Sequence, residues 1–156
     1  MSGRIDAHLA ALGIELPVPA ASKGARIRMA KIAGPFLFVS GQLPSWNGEL
    51  RYVGKVGREF DLPAAQAAAR LSALNVLAQA RAALDGDLDR ISEVVGLRGY
   101  VNVAPGFIEI AQAVNGASDL MIEVFGDAGA HTRTAVGVEM MPYGVAIEVE
   151  AQFLLR

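Results

Sequence analysis

Apolar positions divide most of the chain into strand and helix rhythms. Near the C-terminus Val145, Ile147, Val149, Ala151 and Phe153 alternate with Glu148, Glu150 and Gln152, the two-residue period of a strand with one core face. Arg133 to Glu139, rich in β-branched and small residues, predicts a second strand, and Met141-Pro142-Tyr143-Gly144 predicts the turn that joins the two as a ribbon from His131 to Phe153. Earlier in the chain, Ala25 to Lys31 and Pro35 to Gly41 predict two strands meeting at Gly34-Pro35, the second continuously apolar over Phe36-Leu37-Phe38-Val39. Asp61-Leu62-Pro63 is a helix start, with an N-cap candidate and proline in the first turn. Leu71, Leu74, Leu77 and Leu84, with Ala67 and Ala78 beside them, mark the apolar stripe of that helix, which ends at Gly86. Asp87 to Ile91 follows as a capped turn and Val94 to Val103 as a strand. A second helix from about Phe107 to Phe125 buries Ile110, Val114, Met121 and Val124 or Phe125 and closes at Gly126.

The order ββαβαββ predicts an α+β domain, a mixed β-sheet covered on one face by two helices. Residues 1–24 read as an N-terminal extension in which Ile5, Leu9 and Leu12 have helical spacing before Gly13, Pro17 and Pro19, a short helix packed on the outside of a single domain over 25–156. Residues 45–60, with Asn47-Gly48, Gly54 and Gly57, predict a long loop. Gly54-Lys55 does not make it a phosphate loop: Gly48 lies one position too far upstream, and Val56 stands where a Ser or Thr would bind magnesium.

Composition narrows the chemistry. With 53% hydrophobic and 19% charged residues in 156, the chain is apolar for a monomer, so part of its surface is expected to lie between subunits. No run approaches the roughly 18 apolar residues of a membrane helix. Met1 to His8 has no apolar core of an export signal, and a cytoplasmic location is expected. The absence of cysteine excludes thiol nucleophiles, disulfides and thiolate metal sites. His8 and His131 show no clustered ligand spacing, so no metal site is expected. A net charge of −2 gives no basic footprint for nucleic acid.

Two motifs carry a resemblance. His131-Thr132-Arg133-Thr134-Ala135-Val136-Gly137-Val138, the Met-Pro turn and Val145-Ala146-Ile147-Glu148-Val149-Glu150-Ala151 resemble the C-terminal signature of the RidA family, YjgF-like reactive intermediate or imine deaminases also called L-PSP endoribonucleases. Phe38-Val39-Ser40-Gly41-Gln42-Leu43-Pro44 resembles that family's Ser-Gly-Gln-Pro-like segment, and the likeness runs from about Ala25 to the C-terminus. It implies a chorismate-mutase-like fold in a homotrimer whose sheets form an inner β-barrel with clefts between neighbours. The implied activity is hydrolysis of small enamine or imine acids, such as 2-aminoacrylate and 2-iminopropionate, to 2-keto acids and ammonia, without a cofactor. By the same resemblance Arg133 holds the substrate carboxylate and Glu148 assists the attacking water. Ser40, Gly41 and the main chain of Ala135 line the pocket, and Asn115 reaches a neighbour's cleft.

The residues themselves leave alternatives. A guanidinium fork matches a carboxylate through two parallel hydrogen bonds, yet a strand-end arginine also simply reaches solvent. Glu148 is either a partly buried base or a solvated strand glutamate like Glu150. If Pro142 and Tyr143 centre the ribbon, Arg133 and Glu148 share a face about 13 Å apart along the strands, at ~3.3 Å per residue. Ile27 stands where the family often has an aromatic, and Ala135 where it commonly has cysteine. Two other functions fit less closely: a non-catalytic trimer that binds a keto acid, and an endoribonuclease or translation inhibitor, which the acidity and sparse aromatics disfavour.

Overall fold

The chain order in the computed structural model, which describes residues 3–156, is α1 (Arg4–Ala11), β1 (Ala30–Ala33), β2 (Phe36–Gln42), β3 (Ser45–Trp46), β4 (Glu49–Leu50), α2 (Leu62–Ala83), β5 (Ile91–Asn102), α3 (Ile110–Phe125), β6 (Thr132–Val138) and β7 (Ile147–Leu155). Met1 and Ser2, where the predicted extension begins, lie outside the described residues. The main elements follow ββαβαββ, and β3 and β4 add a small hairpin about Asn47-Gly48 inside the predicted loop. β1 starts later than the strand expected over Ala25 to Lys31. Gly34-Pro35 makes a tight turn that sets Ala33 opposite Phe36, and pairing runs back only to Ala30 opposite Val39.

β7 lies at the centre of a five-stranded sheet in the order β1-β2-β7-β5-β6. The predicted two-stranded ribbon of residues 131–153 does not form, because β5 lies between β6 and β7, parallel to the first and antiparallel to the second. A parallel pair needs a crossover, and α3 supplies it between β5 and β6. Residues 139–146, with a short 3₁₀ turn at Pro142–Gly144, then step over the end of β5. There the Asn102 N–H donates to the Ala146 carbonyl at 2.9 Å and the Val103 N–H to the Val138 carbonyl at 3.1 Å. The expected inner β-barrel is also corrected. Closure requires the two edge strands to pair, whereas β1 and β6 lie at opposite sides of an open sheet.

Both long helices cover one face. Ile147, Val149, Ala151 and Phe153 turn toward them and are buried, as the alternation predicted, with Leu37 and Leu97 in line across the neighbouring strands. Asp61 caps α2, its Oδ1 accepting from the Ala64 N–H at 3.0 Å. The contact stripe of α2 is more alanine than leucine: Ala65, Ala68, Ala69, Ala73 and Ala80 are fully buried, whereas Ala67 faces solvent. Small side chains let α2 approach the sheet and α3 closely. α3 starts at Ile110, after a turn in which the Phe107 N–H bonds the Ala104 carbonyl, and buries Val114, Met121 and Val124. α1 forms with Ile5 and Leu9 in the core and Leu12 exposed, and the Asp89 carboxylate accepts from the N–H groups of Arg4 and Ile5 at its start. Among the described residues no helix is long and apolar enough to cross a membrane.

Candidate functional site

The sheet separates the residues of interest into two clusters, one on each face. Directly paired residues point the same way, so register decides the side. Arg133 pairs with Leu97, and Leu97 with Ala151, both of which face the helices. Glu148 pairs with Tyr100, three residues further along β5, and faces the open side. The shared face predicted for Arg133 and Glu148 is therefore wrong: it assumed β6 beside β7, and inserting β5 changes the parity.

On the helix side, Arg133 is half-buried between β6 and α3. Its Nη1 donates to Asn115 Oδ1 at 2.8 Å and to Ser118 Oγ at 3.1 Å. Asn115 and Ser118 are three apart and so lie on one face of α3. Ser118 Oγ is also 2.9 Å from His131 Nε2, and His131 Nδ1 bonds the Gly129 carbonyl. Ala135, two residues beyond Arg133 and on the same side of β6, is half-buried beside the core. A terminal nitrogen of arginine carries two protons, and both of those on Nη1 have partners. The Nε–Nη2 edge is the part of the fork left for a planar anion.

On the open side, a bulge brings Ser40, Gly41 and Glu148 together. Val39 pairs with Ala151 and Gln42 with Val149, so β2 carries one residue more than β7 between these points. Ser40 Oγ donates to the Arg28 carbonyl at 2.9 Å and ties the preceding segment to the bulge. Gln42 supports the bulge from the core side, its Nε2 donating to the Ser40 carbonyl at 2.8 Å. Gly41 has no side chain, and the Glu148 carboxylate occupies the space a Cβ would need. Burial first, and the charge of Glu150 second, hold the Glu148 pKa above the ordinary 4.5. Glu150 is paired with Arg98 at 2.6 Å, and burial followed by Glu150 raises the Tyr100 phenol as well. A groove of about 610 Å³ opens beside this cluster, lined among others by Ile27, Lys31, Phe38 and Ser40.

Of the predicted residues, Arg133, Asn115 and Ala135 thus fall on one side, and Ser40, Gly41 and Glu148 on the other. Ser118 and Tyr100 were missed. Ser118 could have been found from its helical spacing to Asn115, whereas Tyr100 needs the β5–β7 register.

A mixed sheet backed by two helices in the order ββαβαββ is a chorismate-mutase-like α+β arrangement. The description "YjgF/chorismate mutase-like, putative endoribonuclease" matches residues 6–151, and the chain belongs to this family, RidA/YjgF. It is 46% identical over 151 residues to Protein TCP17 of Trypanosoma cruzi, covering 96% of this chain and 93% of that one. The crystal structure of a putative endoribonuclease from Shewanella oneidensis is similar at 38% identity and a TM-score of 0.92, covering 97% of this chain and 99% of that one. Escherichia coli TdcF with bound serine shares the fold at 22% identity and a TM-score of 0.61, covering 90% and 94%.

Proposed function

We propose that the protein is a RidA-like deaminase that hydrolyses small enamine or imine acids, among them 2-aminoacrylate and 2-iminopropionate, to 2-keto acids and ammonia. The observation that carries this is the state of Arg133: Nη1 is pinned by Asn115 and Ser118, so the Nε–Nη2 edge is presented in a fixed orientation. Such an edge matches a carboxylate through two parallel, charge-assisted hydrogen bonds. The serine bound to TdcF is a small molecule with a carboxylate of this kind.

The chemistry then needs little. An enamine first takes a proton at its terminal carbon to become the imine, whose carbon is electrophilic. Water adds there as one of its protons passes through a base to the nitrogen. The proton of the new hydroxyl then passes to the nitrogen by the same route, so that the C–N bond breaks, ammonia leaves and the keto C=O forms. Glu148 has the environment of such a base, because a carboxyl group whose pKa is raised by burial exchanges protons more readily near neutral pH than a solvated one. Ser40 and Gly41 would line the pocket on the side of Glu148, and the Ala135 main chain on the side of Arg133. Because Arg133 and Glu148 face opposite sides of one sheet, a site that uses both draws them from two chains, which accords with a homotrimer having clefts between neighbours.

A second function, keto-acid binding without turnover, is favoured by one observation: Ile27 is 59% exposed at the groove, and offers no ring where the family resemblance places an aromatic. One variant tests the site under either function. Arg133→Lys keeps the charge and loses the fork, so turnover of freshly generated 2-iminopropionate, or pyruvate binding, is expected to fall about tenfold or more with unchanged melting, since charge-assisted hydrogen bonds contribute roughly 1.5–3 kcal/mol each. A lysine variant that binds and turns over like wild type would refute the assignment. Binding of pyruvate without any release of ammonia from 2-iminopropionate would select the second function.

A further inference from the structure

His131, Ser118 and Arg133 are joined end to end, and the chemistry of the atoms fixes the direction of each hydrogen bond. A carbonyl only accepts, so His131 Nδ1 carries the proton it donates to Gly129. In the neutral ring Nε2 is then bare and must accept, and the group 2.9 Å from it is the Ser118 hydroxyl. The single proton of Ser118 is thereby committed to His131, which leaves its oxygen to accept from Arg133 Nη1 at 3.1 Å. Without that acceptor, a serine inside a helix tends to turn its hydroxyl back to the carbonyl four residues earlier, here that of Val114. The turn would carry Oγ away from the guanidinium.

We propose that His131 and Ser118 are positioning residues for Arg133 that act in series: His131 fixes the Ser118 hydroxyl, Ser118 fixes one proton of Nη1, and Asn115 fixes the other independently. The functional consequence rests on the carboxylate role proposed for Arg133; the hydrogen-bond order does not. Rotation about the outer bonds of arginine would otherwise sweep the Nε–Nη2 edge through many orientations, and each anchor on Nη1 narrows that range before a ligand arrives. A series arrangement makes a definite demand. Once Ser118 has lost its hydroxyl, changing His131 must cost nothing further.

The test is pyruvate binding by calorimetry on the full chain, with Ser118→Ala, Ser118→Thr, His131→Phe and the double variant Ser118→Ala/His131→Phe. Each of Ser118→Ala and His131→Phe is expected to weaken binding about threefold to tenfold, the range for losing one net hydrogen bond, while Ser118→Thr, which keeps a hydroxyl, binds like wild type. The double variant is expected to match Ser118→Ala alone. In turnover of 2-iminopropionate the same variants should raise KM and leave kcat nearly unchanged. Multiplying effects in the double variant, or wild-type affinity in Ser118→Ala, would overturn the proposal. Should His131→Phe not fold, the contrast of Ser118→Ala with Ser118→Thr still decides whether the hydroxyl matters, and His131→Gln takes the place of the phenylalanine variant in the double. Should the wild-type protein neither bind pyruvate nor turn over 2-iminopropionate, the proposed function fails, and side-chain NMR decides the inference by itself. Restrained, separately resolved Nη1 protons of Arg133 in the wild type that average in Ser118→Ala and in His131→Phe would uphold it, and averaging already present in the wild type would end it.

Discussion

Glu148 sits where a charged carboxylate is poorly solvated, over the missing side chain of Gly41 and beside Glu150. Burial is the larger cause of its raised pKa and Glu150 the smaller. The sign of the consequence for stability follows from linkage. Above the ordinary value of 4.5 the unfolded chain releases a proton that the folded protein still holds, so stability falls as pH rises from there through the folded pKa. Gly41→Ala tests the cause. The new Cβ would overlap the carboxylate, which is the far end of a flexible side chain and can swing out to solvent. A small loss of stability is expected, with Glu148 titrating lower by side-chain NMR than in the wild type and the fall of stability above that value flattened. An unchanged Glu148 midpoint in the variant would show that the glycine does not create the environment.

Among the elements, α2 and α3 pack more closely than ordinary side chains allow, because Gly116 of α3 lies against the backbone carbonyl of Gln66 and Gln66 Nε2 donates to the Gln112 carbonyl at 3.0 Å. Gly116→Ala therefore sets two effects against each other. Helix propensity alone would stabilise by up to ~1 kcal/mol, but a Cβ driven into backbone must part the helices, and overpacking of that kind costs about 1–3 kcal/mol. A net destabilisation in urea unfolding is expected, and a more stable variant would mean that the helices are not in contact there. The same element scale explains what was legible in the sequence. β7 could be read because one face of it is buried, and α2 because Asp61 and Pro63 announce its start. The partner of β6 could not be read, since Thr132–Val138 carries the same pattern beside β5 as it would beside β7; only the crossover through α3 decides it. Arg133 and Glu148 were legible as residues through their motifs, but their sides were not, because parity depends on which strand lies between them. Tyr100 was hidden for a related reason: its place beside Glu148 follows from the β5–β7 register, whereas Ser118 lies one helical turn from Asn115 and could be read from that spacing.

For the whole molecule, the two faces impose a condition on any site that contains both Arg133 and Glu148. Within one chain the sheet stands between them, so the substrate must be held by the helix side of one protomer and the open side of another. The open side suits such an arrangement, with Phe36 and Phe38 exposed there at 36% and 40%. The proposed homotrimer makes this testable by complementation. Arg133→Ala and Glu148→Gln, each expected to be inactive alone, are unfolded together in equal amounts and refolded, or co-expressed. A cleft is competent when its arginine comes from a Glu148→Gln chain and its glutamate from an Arg133→Ala chain, which for random cyclic assembly gives activity in about a quarter of clefts. Recovery near that fraction, absent when the separately folded proteins are mixed without exchange, is the expected outcome. If the mixed assemblies stay inactive while native mass spectrometry shows that chains have exchanged, Arg133 and Glu148 do not meet in a cleft between two chains; an active Glu148→Gln protein would show instead that Glu148 has no part in the chemistry at Arg133.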